Sequence, residues 1–320
     1  MSNSFTPPVP FTVIGGFLGA GKTTLLNHLL TESSGVRYAI LVNDFGELNI
    51  DESLIASHDG QTIALTNGCV CCSIANAFIE TVINLVNRID EFDQIVVEAS
   101  GVSEPERIMD IARLDPELNP SGIVVLVDAA EVRNRAVDRY VGSVVCEQLR
   151  TAELLVVNKT DLVSEEELAA LEAWLDELAP SALRLKTSGG KVPPALIFGN
   201  ANPFSKNTPT PEKGHPHDHP DHAPLPFRSI ALQSDGTLEQ EAFEHWHKSL
   251  PPAVIRGKGI LHFRNDPEYV WVWQKVGQRS TLKQMPTAGQ DLDAKALLIG
   301  TMEMPLTRDL GLPKGLEEMG

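Results

Sequence analysis

Residues Gly15 to Thr24 read G-G-F-L-G-A-G-K-T-T. Within them Gly16, Gly21, Lys22 and Thr23 form G-x-x-x-x-G-K-T, the spacing of a phosphate-binding loop. The residue types follow from the task. Glycine lets successive backbone N–H groups turn toward one anion along a path that side chains obstruct. Lys22 can reach β- and γ-phosphate oxygens, and the Thr23 hydroxyl is a hard donor suited to Mg²⁺. A helix opening here adds the positive end of its dipole. The flanks agree. Val9 to Ile14 reads as a short buried strand interrupted by Pro10, and Thr23 to Leu30 (T-T-L-L-N-H-L-L) as an amphipathic helix. Gly19 and Thr24 lie in the same loop and join Gly16, Gly21, Lys22 and Thr23 as candidate phosphate contacts.

Working outward, strands alternate with helices for some 200 residues. Apolar β-branched runs at Arg37–Val42, Thr62–Leu65, Gln94–Val97, Gly122–Val127 and Leu154–Val157 predict strands. Ala75–Ile89, Val132–Arg150 and a segment from Ser164 to about Ala179 predict helices. Ser164 with Glu167 three residues later is a capping box. Such alternation predicts an α/β domain with a mostly parallel sheet and its chemistry at the carboxyl ends of the strands. Residues 201–226 shift to Pro, Asn, Lys, His and Asp around His215-Pro216-His217-Asp218-His219-Pro220-Asp221-His222, and read as a linker. From 227 to 320, extended runs at Phe227–Leu232, Gly259–Phe263, Tyr269–Val276 and Ala296–Thr301 surround one helix, Leu238–Leu250, with a last helix from Leu306. This predicts a smaller α+β domain with an antiparallel sheet. The expected domains are thus 1–200, a His/Pro-rich linker 201–226, and 227–320.

Three further motifs fall at strand ends. Asn158-Lys159-Thr160-Asp161 is N-K-x-D. A carboxylate at Asp161 can accept from guanine N1–H and the 2-amino group, and adenine offers neither donor there. The nucleotide expected is therefore GTP, with Asn158 on the other edge of the base or holding the loop and the Lys159 stem over the ring. Glu98-Ala99-Ser100-Gly101 places E-x-x-G where other GTPases carry D-x-x-G. Glu98 would serve Mg²⁺, and the Gly101 amide would sense the γ-phosphate. Cys69-Val70-Cys71-Cys72 is C-x-C-C, and thiolates suit Zn²⁺, Cu⁺ or Co²⁺ over Mg²⁺. Cys69 and Cys71 can chelate one ion, with Cys72 either a third ligand or facing elsewhere, and the open site can be completed by a carboxylate of the Asp44–Glu47 loop or by a ligand from the recipient protein. The bland alternatives are small buried hydrophobes or a redox pair. Cys146 reads as core, and His245 and His247, flanking Trp246, as surface or core residues.

Composition narrows the partners. The 320 residues carry 26 Lys and Arg against 43 Asp and Glu, a net charge of −17, which argues against a nucleic-acid partner. No apolar run reaches the roughly 18 residues of a membrane helix, and Met1 to Pro10 has no basic and apolar leader pattern. A cytoplasmic protein is expected.

With these motifs in order (G-G-F-L-G-A-G-K-T-T, N-D-F-G-E, N-G-C-V-C-C, E-A-S-G, N-K-T-D), the sequence resembles the CobW-like metallochaperone GTPases. These are relatives of the GTPases that insert nickel into urease and hydrogenase. The likeness is close over about the first 165 residues and looser beyond, where R-G-K-G-I-L-H-F (256–263) and A-L-L-I-G-T (296–301) match the family's strands. It implies a P-loop GTPase domain followed by a small α/β domain, and slow GTP hydrolysis coupled to transition-metal binding, often zinc or cobalt. By motif, Lys22, Thr23 and Glu98 would serve catalysis. Gly16, Gly19, Gly21, Lys22, Thr23, Thr24, Gly101, Asn158, Lys159 and Asp161 would hold the nucleotide. Cys69, Cys71, Cys72 and Glu47 would hold the transported metal for a client protein, with Thr23 on Mg²⁺. Asp44 stands where many members have glutamate, so its reach is one methylene shorter. A nucleotide-gated metal buffer with incidental hydrolysis is the alternative reading.

Overall fold

The computed structural model describes residues 8–32, 35–42, 62–66, 74–199, 227–234, 238–286 and 294–319. The 201–226 stretch lies outside them. The chain divides into two compact units, Pro8–Pro194 and a second from Ala195 onward.

The first unit holds seven strands: β1 (Val9–Gly16), β2 (Tyr38–Val42), β3 (Thr62–Thr66), β4 (Gln94–Glu98), β5 (Leu118–Asp128), β6 (Leu154–Asn158) and β7 (Leu183–Lys186). They form one sheet in the order β3-β2-β4-β1-β5-β6-β7, with every pairing parallel. Its helices are α1 (Lys22–Glu32), α2 (Ile74–Val86), α3 (Pro105–Leu114), α4 (Val132–Ala136), α5 (Gly142–Thr151) and α6 (Glu165–Leu178). All residues of β1 and β6 are buried, so these strands read as continuous apolar runs rather than alternating ones. On one face Phe11, Val13, Val97 and Val157 join Met109, Leu149 and Leu171 in a single core. On the other, α1 packs against β1 and buries Leu25, Leu26, Leu29 and Leu30. At about 1.5–3 kcal/mol for each buried leucine, packing rather than intrinsic propensity holds this helix at the end of the glycine loop.

Three elements differ from the expectation. β5 starts at Leu118, not Gly122, because Pro120 and Ser121 sit in a bulge between Phe11 and Thr12 of β1. The missing proline N–H is tolerated there, so P-S-G is not a turn. The helix expected over Val132–Arg150 is broken. Asp138 Oδ1 accepts from the N–H groups of Tyr140 (2.8 Å) and Val141 (3.2 Å), turning the chain between α4 and α5. Cys146, on α5, is half-buried rather than core. The short β7 was not foreseen. The capping box is present in both directions: Glu167 N donates to Ser164 Oγ (3.2 Å), and Ser164 N to Glu167 Oε2 (2.8 Å).

In the second unit α7 (Pro194–Phe198) leads into six strands and α8 (Gln240–Ser249). The strands are β8 (Phe227–Gln233), β9 (Val254–Leu261), β10 (Tyr269–Val276), β11 (Arg279–Pro286), β12 (Lys295–Thr301) and β13 (Glu317–Glu318). Their order is β11-β10-β9-β12-β8-β13, antiparallel throughout. The edge strand β11 (R-S-T-L-K-Q-M-P) is too polar to stand out in sequence, and polarity suits an unpaired edge. The helix expected from Leu306 is only a 3-10 turn, Thr307–Asp309, because Gly311 and Pro313 stop it.

Trp273 centres this unit's core, its ring 5.4 Å from Phe243 and 5.9 Å from Trp246 of α8. A Cβ on Gly257 would lie 2.4 Å from the Trp273 ring, so this glycine of R-G-K-G leaves the space the indole fills, while a Cβ on Gly259 would lie 2.9 Å from Ala296 of β12. His247 is buried beside the same ring, whereas His245 is exposed. The other two residues of R-G-K-G are buried cations. Arg256 donates to the carbonyls of Leu196 (3.1 Å) and Ile197 in α7. Burial, with Arg256 adjacent, pushes Lys258 down to about 7 from 10.5. Gln274 stands opposite Lys258 in β10, and its buried Oε1 has no partner among the described residues.

An unfolded Lys258 keeps its ordinary proton, so between about pH 7 and pH 10 the unfolded chain binds more protons and stability rises with pH. The cost of Lys258 is complete below about pH 7 and relieved as pH climbs toward 10.5. Lys258→Met is therefore expected to raise the melting temperature most at about pH 6–7 and progressively less toward about pH 10. Scanning calorimetry across that range checks this; a gain independent of pH would mean that Lys258 does not titrate there.

Candidate nucleotide site

β1 ends at Gly16 and α1 begins at Lys22, and the loop between them is held in glycine conformations. Gly16 and Gly21 have φ of 132° and 102°, and Gly19 has 79°. Gly16 and Gly21 also lack room for a side chain. A Cβ would lie 2.6 Å from Leu126 O at the first and 2.6 Å from Asn158 Nδ2 at the second. Lys22 Nζ donates to Gly16 O at 3.0 Å, folded back across the loop it closes. Thr23, in the first turn of α1, donates through Oγ1 to Glu98 Oε1 at 3.0 Å. Glu98 is the buried last residue of β4, level with Ile14 of β1. A hydroxyl and a carboxylate meeting at the end of a phosphate loop are the hard oxygen donors that Mg²⁺ requires. Gly101 follows at van der Waals range of the loop, where a Cβ would lie 2.8 Å from Leu18 N. Thr24 is exposed on the outer side of α1.

The end of β6 supplies a second wall. Asn158 is 2% exposed. Its Nδ2 donates to Ala20 O at 2.9 Å, and its Oδ1 accepts from Gly190 N at 3.0 Å. Asn158 thus ties the phosphate loop to the turn Thr187-Ser188-Gly189-Gly190 after β7, rather than reserving its carboxamide for a ligand. Lys159 takes a left-handed conformation (φ 61°), and its Nζ meets Asp128 Oδ2 at 2.6 Å. Thr160 donates from N and Oγ1 to Thr187 O (3.3 and 3.1 Å), which locks N-K-T-D onto the same turn. Asp161 stays exposed in the 3-10 turn Thr160–Leu162. Beside the loop is a cavity of about 200 Å³, bordered by Phe17, Leu18, Asp128, Arg135, Gln148 and Lys159.

The structure therefore brings Gly16, Gly19, Gly21, Lys22, Thr23, Glu98, Gly101, Asn158 and Lys159 to one edge of the sheet. Asp44, Glu47, Cys69, Cys71 and Cys72 lie outside the described residues. Among the described residues no group of three or more His, Cys, Asp and Glu is placed to hold a metal ion. No described helix is long and apolar enough to cross a membrane. Sequence reasoning missed Asp128 as the partner of Lys159, and it missed T-S-G-G at 187–190. The signal for the latter was a cluster of small residues directly after a strand, but that strand, β7, was itself unread.

Glycine loop, Thr–Glu pair and N-K-x-D wall on a parallel sheet define a P-loop nucleotide-binding domain of the GTPase class. Comparison with known proteins agrees. Residues 10–185 match the model described as CobW/HypB/UreG, nucleotide-binding domain, and residues 227–307 match the cobalamin synthesis protein cobW C-terminal domain. The chain belongs to the CobW/HypB/UreG family of P-loop GTPases. The zinc chaperone CobW of Sinorhizobium sp is 29% identical over 340 residues, covering 92% of this chain and 94% of that protein. The zinc chaperone YjiA of Escherichia coli (strain K12) is 32% identical over 205 residues, covering 62% of this chain and 63% of YjiA. The crystal structure of Zn(II)-bound YjiA GTPase aligns with 96% of this chain and 98% of its own, at 21% identity and a TM-score of 0.48.

Asn158→Ala removes a donor and an acceptor at once, leaving the Ala20 carbonyl and the Gly190 N–H without their buried partner. The expected loss is about 1–3 kcal/mol of stability in the absence of any nucleotide. Urea unfolding of the nucleotide-free protein checks it. A loss seen only with nucleotide present would show that Asn158 serves the ligand instead.

Proposed function

We propose that this chain is a GTP-hydrolysing metallochaperone that binds Zn²⁺ (or Co²⁺) through Cys69, Cys71 and Cys72, with Glu47, and passes it to a client protein. The observation that carries the reading is the meeting of the glycine loop, the Thr23–Glu98 pair and the Asn158–Asp161 wall at one sheet edge. Two full-length-scale features support the cargo. The family relatives are named zinc chaperones. In the sequence N-D-F-G-E and C-x-C-C also follow closely on the ends of β2 and β3, whose last residues, Val42 and Thr66, are level with Glu98 across the sheet. A reducing cytoplasm would keep the cysteines as ligands rather than disulfides.

Each residue has a role in this reading. Backbone N–H groups from Gly16 to Thr24 bind the phosphates, and Lys22 leaves Gly16 O to pair with phosphate oxygens. Thr23 and Glu98 hold Mg²⁺, which when bound offsets charge on the β- and γ-phosphates. Asp161 accepts from guanine N1–H and the 2-amino group, while Lys159, braced by Asp128, lies along the base. Attack of water on the γ-phosphorus breaks its bond to the bridging oxygen and yields GDP, phosphate and a proton. The Gly101 amide reads whether the γ-phosphate is present. The resulting change in the E-x-x-G turn is the signal that alters metal affinity.

Two tests follow. Asp161→Asn replaces an acceptor pair with a carboxamide whose N–H complements the 2-oxo group of xanthine. GTP affinity should fall by about 100-fold or more while xanthosine triphosphate binding improves; isothermal titration measures both. Zn²⁺ and Co²⁺ titrations with and without Mg²⁺ and a non-hydrolysable GTP analogue, on wild type and a Cys69→Ser/Cys71→Ser variant, test the coupling. A cysteine-dependent site whose affinity changes with nucleotide is expected. A site indifferent to nucleotide indicates a passive buffer, and the lack of any cysteine-dependent site removes the metal role.

A further inference from the structure

Gln148, on α5, is 2% exposed in a region of the core otherwise built from apolar residues. Its Nε2 donates to two carbonyls, Gly101 O at 3.1 Å and Ser103 O at 2.8 Å. Both contacts are with oxygens that can only accept, so the nitrogen end of the carboxamide must face them, and both of its hydrogens are engaged. The carbonyls belong to the turn that continues E-A-S-G. Within that turn, Ser103 N and Ser103 Oγ donate to Ser100 O (3.0 and 2.8 Å), closing a small loop whose outer side Gln148 grips. The Gly101 N–H makes no hydrogen bond among the described residues.

Gly101 is therefore fixed from two directions. The space beside its Cα is filled by the side chain and backbone N of Leu18 in the phosphate loop, and its carbonyl is held from α5. The Gly101 N–H shares its peptide plane with Ser100 O, which Ser103 N and Oγ hold, and Gln148 grips the carbonyls on either side of Val102, Gly101 O and Ser103 O, so little freedom remains in the direction of that N–H. Gln148 also borders the cavity beside the phosphate loop, opposite Leu18 and Phe17, so the clasp sits between α5 and the loop rather than elsewhere in the domain.

From this geometry we infer that Gln148 is a positioning residue for γ-phosphate recognition: it sets the direction of the Gly101 N–H and so determines how well the protein distinguishes GTP from GDP. The inference deepens the proposed function and rests on it. A carboxamide is required because both acceptors are carbonyls, each within hydrogen-bond distance of a single nitrogen that must donate twice. A carboxylate there would face both oxygens with no proton, and an apolar chain would leave both buried carbonyls unmatched. GDP has no γ-phosphate, so its contacts with Lys22, Thr23 and Asp161 do not depend on the clasp.

The test compares Gln148→Met, close in volume and without donors, and Gln148→Asn, which keeps the amide but shortens its reach. GDP and a non-hydrolysable GTP analogue are titrated into each full-length protein with Mg²⁺, and circular dichroism reports folding. Gln148→Met should bind GDP within about twofold of wild type and the GTP analogue about tenfold more weakly, the loss of one well-placed hydrogen bond at the γ-phosphate. The turnover number should fall while GDP release is unchanged, and Gln148→Asn should lie between. Equal weakening for both nucleotides would make Gln148 a general brace and overturn the inference, as would an unaltered GTP-to-GDP ratio. If Gln148→Met does not fold, the same ratio in Gln148→Asn decides. Failure of wild type to bind either guanine nucleotide would instead overturn the proposed function.

Discussion

One carboxamide, that of Asn158, connects three segments that the sequence keeps far apart. It reaches Ala20 of the glycine loop, 138 residues away, and receives Gly190 from the turn after β7. Its burial makes the tie obligatory, because an unmatched carbonyl or N–H in a dry site costs about as much as a lost core contact. The consequence reaches back into the loop. Gly21 cannot bear a side chain because Asn158 Nδ2 occupies the space. The glycine is thus dictated as much by the far strand as by any phosphate. A loop that would otherwise sample many left-handed conformations is held ready before a ligand arrives, which lowers the ordering cost of binding.

The parallel sheet makes this economy possible. All seven strands point the same way, so every connecting loop of one polarity emerges at one edge. Glu98, Asp128 and Asn158 close β4, β5 and β6, and the register sets Asp128 opposite Asn158. Residues with no proximity in sequence become neighbours through strand pairing alone. The second unit is built on a different constraint. Its antiparallel sheet is organised by the space that Gly257 yields to Trp273, and α8 closes over the same ring. There the costly groups, Arg256 and Lys258, are buried by packing, and α7 carbonyls accept from the Arg256 guanidinium. Lys258, buried opposite a Gln274 whose Oε1 has no partner among the described residues, is kept at a cost to stability.

Much of the first unit was legible because its strands are apolar throughout and its site residues follow them directly. Val9–Ile14, Leu154–Val157 and Gln94–Val97 announce buried parallel strands, and their last residues carry the motifs. The capping box at Ser164 was legible because it depends on two residues three apart. What escaped were features set by distant partners. The extra residues of β5 depend on a bulge against β1, and Pro120 and Gly122 mimic a turn when read alone. The break between α4 and α5 depends on Asp138 folding back on Tyr140 and Val141, a local bond that the apolar periodicity around it obscures. Gln148 is an ordinary surface-type residue in the sequence, and only the path of the turn after Glu98 gives it two carbonyls to hold. The polar edge strand β11 and the short β7 carry too little apolar signal to be separated from loop.

On the proposed function, the same topology constrains how a metal and a nucleotide would influence each other. β4 lies between β1, which leads to the phosphate loop, and β2, which leads to N-D-F-G-E. β3, which leads to C-x-C-C three residues past Thr66, pairs with β2. Glu98 therefore closes the strand that lies between β1, which precedes the glycine loop, and β2, which ends at Val42 directly before N-D-F-G-E in the sequence. If those segments hold the cargo as proposed, the E-x-x-G turn is one strand from the end of β2. Coupling over so short a path calls for no long chain of contacts, only a turn with two arrangements that both ligands bias. Held by Leu18 on one side and by Gln148 on the other, the turn shows one such arrangement, the one that on the proposed reading suits a bound γ-phosphate. Its Gly101 N–H makes no hydrogen bond among the described residues, so a phosphate bound there would add a contact without breaking one.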